Sequence, residues 1–224
     1  VYTIGAGNIE NDGLTEDSPL PSVAEVFSRY ELQEGNVVYV DTGYYVLTNQ
    51  ITFDINSEGS VTNPLVLQGS TNVVDGGTLF DRQNGARAID LYHTEGVSIR
   101  NIQIANAQTG IRSYGSTNCS MEWVTVDGAS NIPYQVYGFE LEISSNVVFD
   151  HCVVRSITNE NDSSALNVDD STGIKWLNGI LWSNAYGISL EDASSIGVSN
   201  SIFGVWGENH YAMVKGASAV LTSD

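Results

Sequence analysis

The sequence predicts an all-β protein: a right-handed, single-stranded parallel β-helix (a solenoid) with a short N-terminal capping helix. The first observation is a repeat, because an apolar-x-apolar segment recurs with starts at Val97, Cys119, Val147, Ile174 and Ile196. A second apolar marker starts at Ala88, Gly110, Gly138, Ala165 and Gly187. Both series are spaced by 22, 28, 27 and 22 residues, so they keep step through the longer units. Such agreement is typical of stacked coils.

Alternation inside each marker is the second observation. Apolar and polar residues follow one another with period two, which indicates strands with one buried and one solvated face. Two or three short strands cannot enclose a core, so each must pair with its equivalent in the next coil, about 4.8 Å away. The extra residues around Ile132–Tyr134 and Asn159–Asp162 are then expected to project as loops.

The N-terminal segment has a helical pattern. Ser22 followed by Glu25 is a capping box, and an apolar stripe continues behind it. We expect a helix over roughly 22–31 that plugs the open end of the stack, since a bare end coil exposes strand edges. Strands are predicted next at Val37–Val40, Ile51–Phe53, Leu65–Leu67 and Val73–Val74.

These elements predict one domain over residues 1–224. The N-terminal cap occupies about 1–36, and the stacked coils occupy 37–224. Nothing comparable to the cap follows Met213, and Ala217–Asp224 is short and poor in large side chains. We therefore expect the C-terminal end to be truncated or capped by a partner.

The charge is strongly acidic, with 27 Asp and Glu against 8 Lys and Arg and a formal net charge of -19. Such a surface repels phosphate backbones, so nucleic acid is not expected as a partner. It attracts hard cations, above all Ca²⁺, although adaptation to high salt would produce the same composition. No apolar run approaches ~18 residues, so no membrane span is expected.

Two short motifs concern covalent chemistry. The two cysteines, Cys119 and Cys152, are expected to be free thiols in the core rather than a disulfide. Asn118 and Asn161 each begin a glycosylation sequon, which leaves modification open at both.

A family resemblance is carried by the N-terminal runs Gly7-Asn8, Asn11-Asp12-Gly13-Leu14-Thr15, Ser18-Pro19-Leu20, Gly35-Asn36-Val37-Val38-Tyr39-Val40, Gly43-Tyr44-Tyr45, Asn63-Pro64-Leu65 and Asp75-Gly76-Gly77. Over about the first 80 residues they resemble the secreted right-handed parallel β-helix proteins of the pectate-lyase-like superfamily. The superfamily includes polysaccharide lyases, glycoside hydrolases, epimerases, phage tailspikes, adhesins and non-catalytic binding modules. The resemblance implies an extracellular or cell-surface protein that acts on a polysaccharide or cell-surface glycan. Thr42 replaces the usual proline and lysine is scarce, which leaves the activity open.

Stacking of the second marker predicts two columns of outward side chains. One contains Asp90, Arg112, Glu140, Asn167 and Ser189, and the other contains Tyr92, Tyr114, Glu142, Asp169 and Glu191. Glu142, Asp169 and Glu191 would lie about 5 Å apart by the coil spacing. Because like charges at that distance destabilise one another, we expect these three carboxylates to bind Ca²⁺.

The same columns predict candidate catalytic groups: Arg112, Glu140 and Asp169. In one interpretation, Glu140, Glu142 and Asp169 hold Ca²⁺ beside Arg112, and Arg112 neutralises a uronate carboxylate for β-elimination. In another, two carboxylates about 5–5.5 Å apart act as a retaining glycosidase pair. A third interpretation is an acidic face that is simply solvated. Tyr92 and Tyr114 are predicted to stack against sugar rings.

Another column contains Asn101, Trp123, His151, Asn178 and Asn200, and it is typical of stacked turn residues with a structural role. The sequence thus favours an extracellular carbohydrate-associated β-helix module that binds a polysaccharide, and it leaves open whether the protein is also an enzyme. The alternative is a non-catalytic structural or adhesive component of a surface layer, sheath or fibre that self-associates through the end of the β-helix.

Overall fold

A computed structural model of the chain describes residues 7–128, 135–157, 163–205, 211–215 and 220–223. It contains helix α1 (Val23–Arg29) and a 3-10 helix (Val73–Asp75). The strands are β1 (Val37–Tyr39), β2 (Gly43–Val46), β3 (Ile51–Phe53), β4 (Leu65–Gln68), β5 (Thr78–Tyr92), β6 (Val97–Arg100), β7 (Ile102–Tyr114), β8 (Ser120–Glu122), β9 (Thr125–Asp127), β10 (Tyr137–Glu142), β11 (Val148–Asp150), β12 (Val153–Arg155), β13 (Ser164–Asp169), β14 (Ile174–Leu177), β15 (Ile180–Asn184), β16 (Tyr186–Glu191), β17 (Ser195–Ser199), β18 (Ile202–Val205), β19 (Tyr211–Lys215) and β20 (Val220–Ser223). The predicted loops around Ile132–Tyr134 and Asn159–Asp162 lie outside the described residues.

The strands form three walls of a coiled ladder. The first wall is one sheet in the order β1-β4-β6-β8-β11-β14-β17-β20. The second wall contains β9, β12, β15 and β18, and the third contains β10, β13, β16 and β19. The long strands β5 and β7 contribute their first halves to the second wall and their last halves to the third. All pairs between described strands are parallel, so the predicted parallel β-helix is confirmed.

The capping helix is confirmed with shorter bounds than predicted. The Ser22 hydroxyl accepts from the Glu25 N–H at its start, and Tyr30 is already extended. Phe27 meets Phe53 of the first coils edge to face, with ring centroids 4.9 Å apart. The helix therefore covers the end of the stack, as its apolar stripe predicts.

The predicted strand at Val73–Val74 is wrong, because these residues lie in the 3-10 helix. The Asn72 side chain accepts from the Asp75 N–H, and Gly76 closes the turn with a left-handed conformation. Both valines are exposed. An apolar pair held by local side-chain-to-backbone bonds forms a turn, which competes with strand pairing.

The core is one continuous apolar column inside the walls. Its largest fully buried side chains include Phe139, Phe149 and Trp176. The tilted rings of Phe139 and Phe149 meet across the core with centroids 4.8 Å apart, and Phe149 meets Trp176 of the next coil at 5.4 Å. Gly138 shows why one marker position is always small: a Cβ there would lie 2.5 Å from the Ala165 carbonyl oxygen. Both cysteines are free and buried, as predicted, and burial raises the pKa of Cys119 to about 11 and that of Cys152 to about 12.

Hydroxyl groups bind successive coils together at the turn between the third and first walls. The residues of this serine ladder are Thr94, Ser116, Ser144, Ser171 and Ser194, all of them buried. Each serine hydroxyl accepts from the backbone N–H of the preceding member, at 2.9 to 3.3 Å. The sequence analysis missed this column, although its members recur every 22 to 28 residues. It fixes the ends of the strands that carry the candidate site.

The predicted turn column lies between the first and second walls. All five members, Asn101, Trp123, His151, Asn178 and Asn200, have φ between 45° and 56°. Asn200 donates to Asn178 and Asn178 donates to Asp150, both at 2.7 Å. His151 keeps the turn conformation and stacks on Trp123 with centroids 4.1 Å apart. The structural role of this column is therefore confirmed for these residues.

At the C-terminal side, β20 pairs with β17 and β19 with β16, which adds a further coil. Half of the segment expected to leave this end uncapped, Ala217–Asp224, lies outside the described residues. Among the described residues, no helix is long and apolar enough to cross a membrane.

Candidate functional site

The outer face of the third wall brings the predicted residues together. Strand register pairs Asp90 with Arg112, Arg112 with Glu140, and Glu140 with Asn167. The neighbouring column pairs Tyr92 with Tyr114, Tyr114 with Glu142, Glu142 with Asp169, and Asp169 with Glu191. Both predicted columns are therefore present, and successive members of each column lie on adjacent coils.

An ion pair lies at the N-terminal end of this face. The Arg112 guanidinium donates to both carboxylate oxygens of Asp90, at 2.8 and 3.1 Å. Gln50 also donates to Asp90, at 3.2 Å. The side chains of Asp90 and Arg112 are only 5% and 12% exposed. Arg112 is thus held in an ion pair with Asp90 of the same wall, which the sequence did not predict.

Aromatic side chains cover this ion pair. The rings of Tyr92 and Tyr114 are stacked, with centroids 5.5 Å apart and planes 8° from parallel. The Arg112 guanidinium lies 5.9 and 5.1 Å from the two ring centroids, within cation–π range. His93 contacts both rings edge on, at 4.5 and 5.2 Å. Because Tyr92 remains exposed, the group presents an aromatic surface to solvent.

Glu140 is a carboxyl group of this face whose pKa is raised. Burial raises its pKa, and the nearby charge of Glu142 raises it further, although Arg87 and Arg112 act in the opposite direction. Thr109 donates to it at 3.3 Å. In the next coil, Asn167 is almost fully buried, and its Oδ1 accepts from no donor among the described residues. A carboxyl group in such surroundings holds its proton to higher pH than an ordinary glutamate.

A group of carboxylates forms at the other end of the face. Asp169, Asp170 and Asp192 each offer an oxygen, and these oxygens lie within 4.8 Å of one another. Burial raises the pKa of Asp169, and the charges of Asp192 and Asp170 raise it further. Its Oδ1 is buried and accepts from no described donor. Asp169 belongs to the predicted Ca²⁺ set, but its close neighbours here are turn aspartates with φ of 43° and 45° rather than Glu142 and Glu191.

One predicted glycosylation site lies on a different turn. The Asn118 side-chain nitrogen donates to Glu95 at 2.9 Å, and the sequon cysteine, Cys119, is buried. Asn161 lies outside the described residues. Modification at both positions stays a prediction.

Comparison with known families fits this architecture. The chain belongs to the right-handed β-helix region family, whose model matches residues 36–203. The resemblance to pectate-lyase-like β-helix proteins is thereby confirmed, with the handedness of the coil. No curated protein matches the sequence.

Solved structures show the same fold in longer proteins. A rhamnogalacturonan lyase superposes with a TM-score of 0.71 at 17% identity, over 97% of this chain and 58% of that one. The pectate lyase Pel9A gives 0.72 at 14% identity, over 97% and 59%. A lacto-N-biosidase from Eubacterium ramulus gives 0.60 at 14% identity, over 99% and 55%. The chain therefore spans less than two thirds of each, and at these identities the similarity concerns the fold.

The Asp90–Arg112 pair predicts a large stability effect. Replacing Asp90 with alanine leaves a buried guanidinium without its carboxylate, so we expect a loss of about 3 kcal/mol in the free energy of unfolding. The matched control is Asp127→Ala, which breaks the exposed Asp127–Arg155 pair and should cost less than about 1 kcal/mol. Urea unfolding measures both. Equal losses in the two variants would show that Arg112 does not depend on Asp90.

The raised pKa of Glu140 predicts a pH-dependent stability. Folded Glu140 binds its proton more tightly than the unfolded residue, so its burial costs little at acidic pH and destabilises the fold as pH rises above the ordinary value of 4.5. Glu140→Gln removes this titration. We expect the unfolding midpoint of the variant, relative to the unchanged protein, to rise between pH 4 and pH 7, as measured by thermal unfolding. Glu16→Gln, at an exposed position, should show no such trend.

Proposed function

We propose that this protein is an extracellular, carbohydrate-associated β-helix module that binds a polysaccharide along the outer face of its third wall. The observation that carries the proposal is the stacked Tyr92–Tyr114 pair beside a column of carboxylates. Aromatic faces offer sugar rings an apolar surface, and polar groups at their edge bind hydroxyls. The polysaccharide-acting proteins among the structural neighbours support a glycan as the partner.

The charge of the face favours a neutral glycan over a uronate polymer. The predicted role of Arg112, neutralising a uronate, requires a free guanidinium, whereas Arg112 already pairs with Asp90 in both hydrogen bonds. With Arg112 paired to Asp90, two acids of this face, Glu140 and Glu142, lie near one further cation, Arg87. This excess of acid repels a polyanion unless a cation lies between. A neutral glycan meets no such penalty.

Cleavage is the second step of the proposal, with Glu140 as the general acid. A carboxyl group with a raised pKa is suited to protonate a leaving-group oxygen. Asp169, on the adjacent strand, is the second carboxylate, and Arg112 positions the tyrosines that hold the sugar. Two carboxyl groups flanking the scissile bond are the usual equipment of glycoside hydrolysis.

A Ca²⁺ site is the third part of the proposal. The chemistry of Asp169, Asp170 and Asp192 fits a hard cation, since their oxygens converge and Asp169 Oδ1 has no described donor. The bound ion would relieve their mutual repulsion. Glu142 and Glu191 flank Asp169 in register and remain candidate ligands.

Glycan binding is tested with the tyrosine pair. We expect the double variant Tyr92→Ala/Tyr114→Ala to lose about tenfold or more in affinity for the polysaccharide that the unchanged protein binds, because stacking surface is lost. Affinity chromatography and calorimetry on neutral and uronate polysaccharides, with and without Ca²⁺, measure this. Tyr39→Ala, an exposed tyrosine of the first wall, is the control.

The same panel tests cleavage through reducing ends and the ultraviolet absorbance of unsaturated products. Glu140→Gln should abolish turnover and retain binding. If no polysaccharide binds and the protein instead forms filaments with rising concentration, the alternative structural or adhesive function replaces this one.

Ca²⁺ binding is tested by calorimetry and by the unfolding midpoint in Ca²⁺ against a chelator. We expect Ca²⁺ to raise the midpoint, and Asp169→Asn and Asp192→Asn to remove the increase, because each deletes a charged ligand. Asp17→Asn changes the same charge at an exposed N-terminal position and should leave the increase intact. An equal loss in Glu142→Gln and Glu191→Gln, with Asp192→Asn unaffected, would move the ion to the set predicted from the sequence.

A further inference from the structure

The second wall has an exposed apolar surface at its C-terminal side that the proposed function does not use. Trp182 and Ile202 are each 58% exposed, and Ile180 lies beside them, also exposed. Ile180 pairs with Ile202 in register, and Trp182 lies two residues beyond Ile180, so the three side chains are neighbours on one face of the wall. Exposed apolar groups that adjoin one another mark a surface for binding.

The glycine in the next coil determines the position of the Trp182 indole. Trp182 is paired in register with Gly204. A Cβ at Gly204 would lie 2.3 Å from Cε3 and 2.6 Å from Cζ3 of the indole. The indole therefore occupies the space that a side chain at position 204 would fill, and it lies over the backbone of Gly204. The absence of a side chain at one position creates the aromatic platform at the other.

Polar groups lie at the edge of this platform. Arg155 precedes Trp182 in register, and its guanidinium is 3.0 Å from Asp127 of the coil before. Both side chains of this pair are well exposed, so their remaining donor and acceptor positions face solvent. An apolar ring face beside paired donors and acceptors matches a sugar, which has apolar C–H faces and hydroxyls around its rim.

Charge on the second wall selects among possible occupants. At the outward positions of its described strands, the charged residues are Asp81, which is buried and hydrogen-bonded, and the mutually paired Asp127 and Arg155. A second copy of this chain would bring another strongly negative surface, and a polyanion would be repelled by the whole molecule. A neutral glycan carries no charge and meets no such repulsion.

A second exposed indole extends the surface. Trp123, also exposed, lies at the turn that precedes the second wall, two coils before Trp182. One of its faces stacks on His151. Two coil spacings and four residues along the strand place the two Cα atoms at most about 16 Å apart. One oligosaccharide can therefore contact both.

We infer that the second wall carries a separate binding site for a neutral pyranose chain, with the Trp182 indole on Gly204 as its stacking platform and Arg155 and Asp127 as its polar edge. This site lies on a different wall from the tyrosine pair and does not require the tyrosine pair to bind. Two sites on two walls would hold one long polysaccharide, or two chains, against the same module.

Calorimetry with cellohexaose, xylohexaose, mannohexaose and hexagalacturonate tests the site. We expect at least one neutral hexasaccharide to bind, and Trp182→Ala to weaken that binding by about tenfold or more. Gly204→Val should weaken it similarly while leaving the indole in the chain, since the new side chain displaces the ring. Tyr39→Ala is the control, and urea unfolding verifies that each variant is folded.

The outcomes separate this inference from the proposed function. Tyr92→Ala/Tyr114→Ala should retain the Trp182-dependent binding even if the tyrosine wall binds nothing. The inference is overturned if no neutral hexasaccharide shows Trp182-dependent binding, or if hexagalacturonate alone does. It is also overturned if sedimentation shows a dimer that Trp182→Ala dissociates, because a second copy would then be the occupant.

Discussion

Parallel hydrogen bonding between equivalent strands of successive coils is the constraint on which this structure depends. It places every residue about 4.8 Å from its counterpart one coil earlier and one coil later. The serine ladder, from Thr94 to Ser194, adds side-chain bonds to the same register at a buried turn. Inside the coil, this alignment places Phe149 beside Trp176 in the apolar core. Outside, it turns a repeated sequence position into a line of functional groups.

Such alignment has an electrostatic consequence, because a repeated acid becomes a column of like charges. The repulsion between these acids is reduced in different ways at different positions of the third wall. Asp90 is neutralised by Arg112, whose guanidinium also lies against the Tyr92 and Tyr114 rings. Glu140 has a raised pKa because burial outweighs its distant cations. Asp169, Asp170 and Asp192 converge without such help, which is the physical reason for placing a cation there.

The two proposed glycan surfaces illustrate how a β-helix acquires binding sites without changing its core. On the third wall, a pair of tyrosines stacks because both occupy one column. On the second wall, a single indole spreads because the next coil offers glycine. Both arrangements depend on the neighbouring coil, so neither is a property of one strand. Family membership accounts for the scaffold, and the outward side chains determine what is bound.

The sequence by itself determined the coil, the register and the composition of the outward columns. Two markers in step are enough to define which residues are equivalent, and parallel pairing then fixes which residues lie beside one another in register. The capping helix followed from Ser22 and Glu25, since a capping box acts within one turn. Local bonding at Asn72, in contrast, overrode the apolar pair Val73–Val74 and formed a turn where a strand was predicted.

Only the tertiary structure decided what the aligned side chains do. Equivalence fixes backbone spacing, but a long side chain such as that of Arg112 can reach toward either neighbouring coil or toward solvent. In the structure it pairs with the buried carboxylate of Asp90, which also accepts from Gln50. The carboxylates that converge with Asp169 lie at a turn, where left-handed residues redirect the side chains away from the column order. The orientation of the Trp182 indole depended on the absence of a side chain at Gly204, one coil away. These outcomes depend on side-chain direction and burial, which periodicity does not encode.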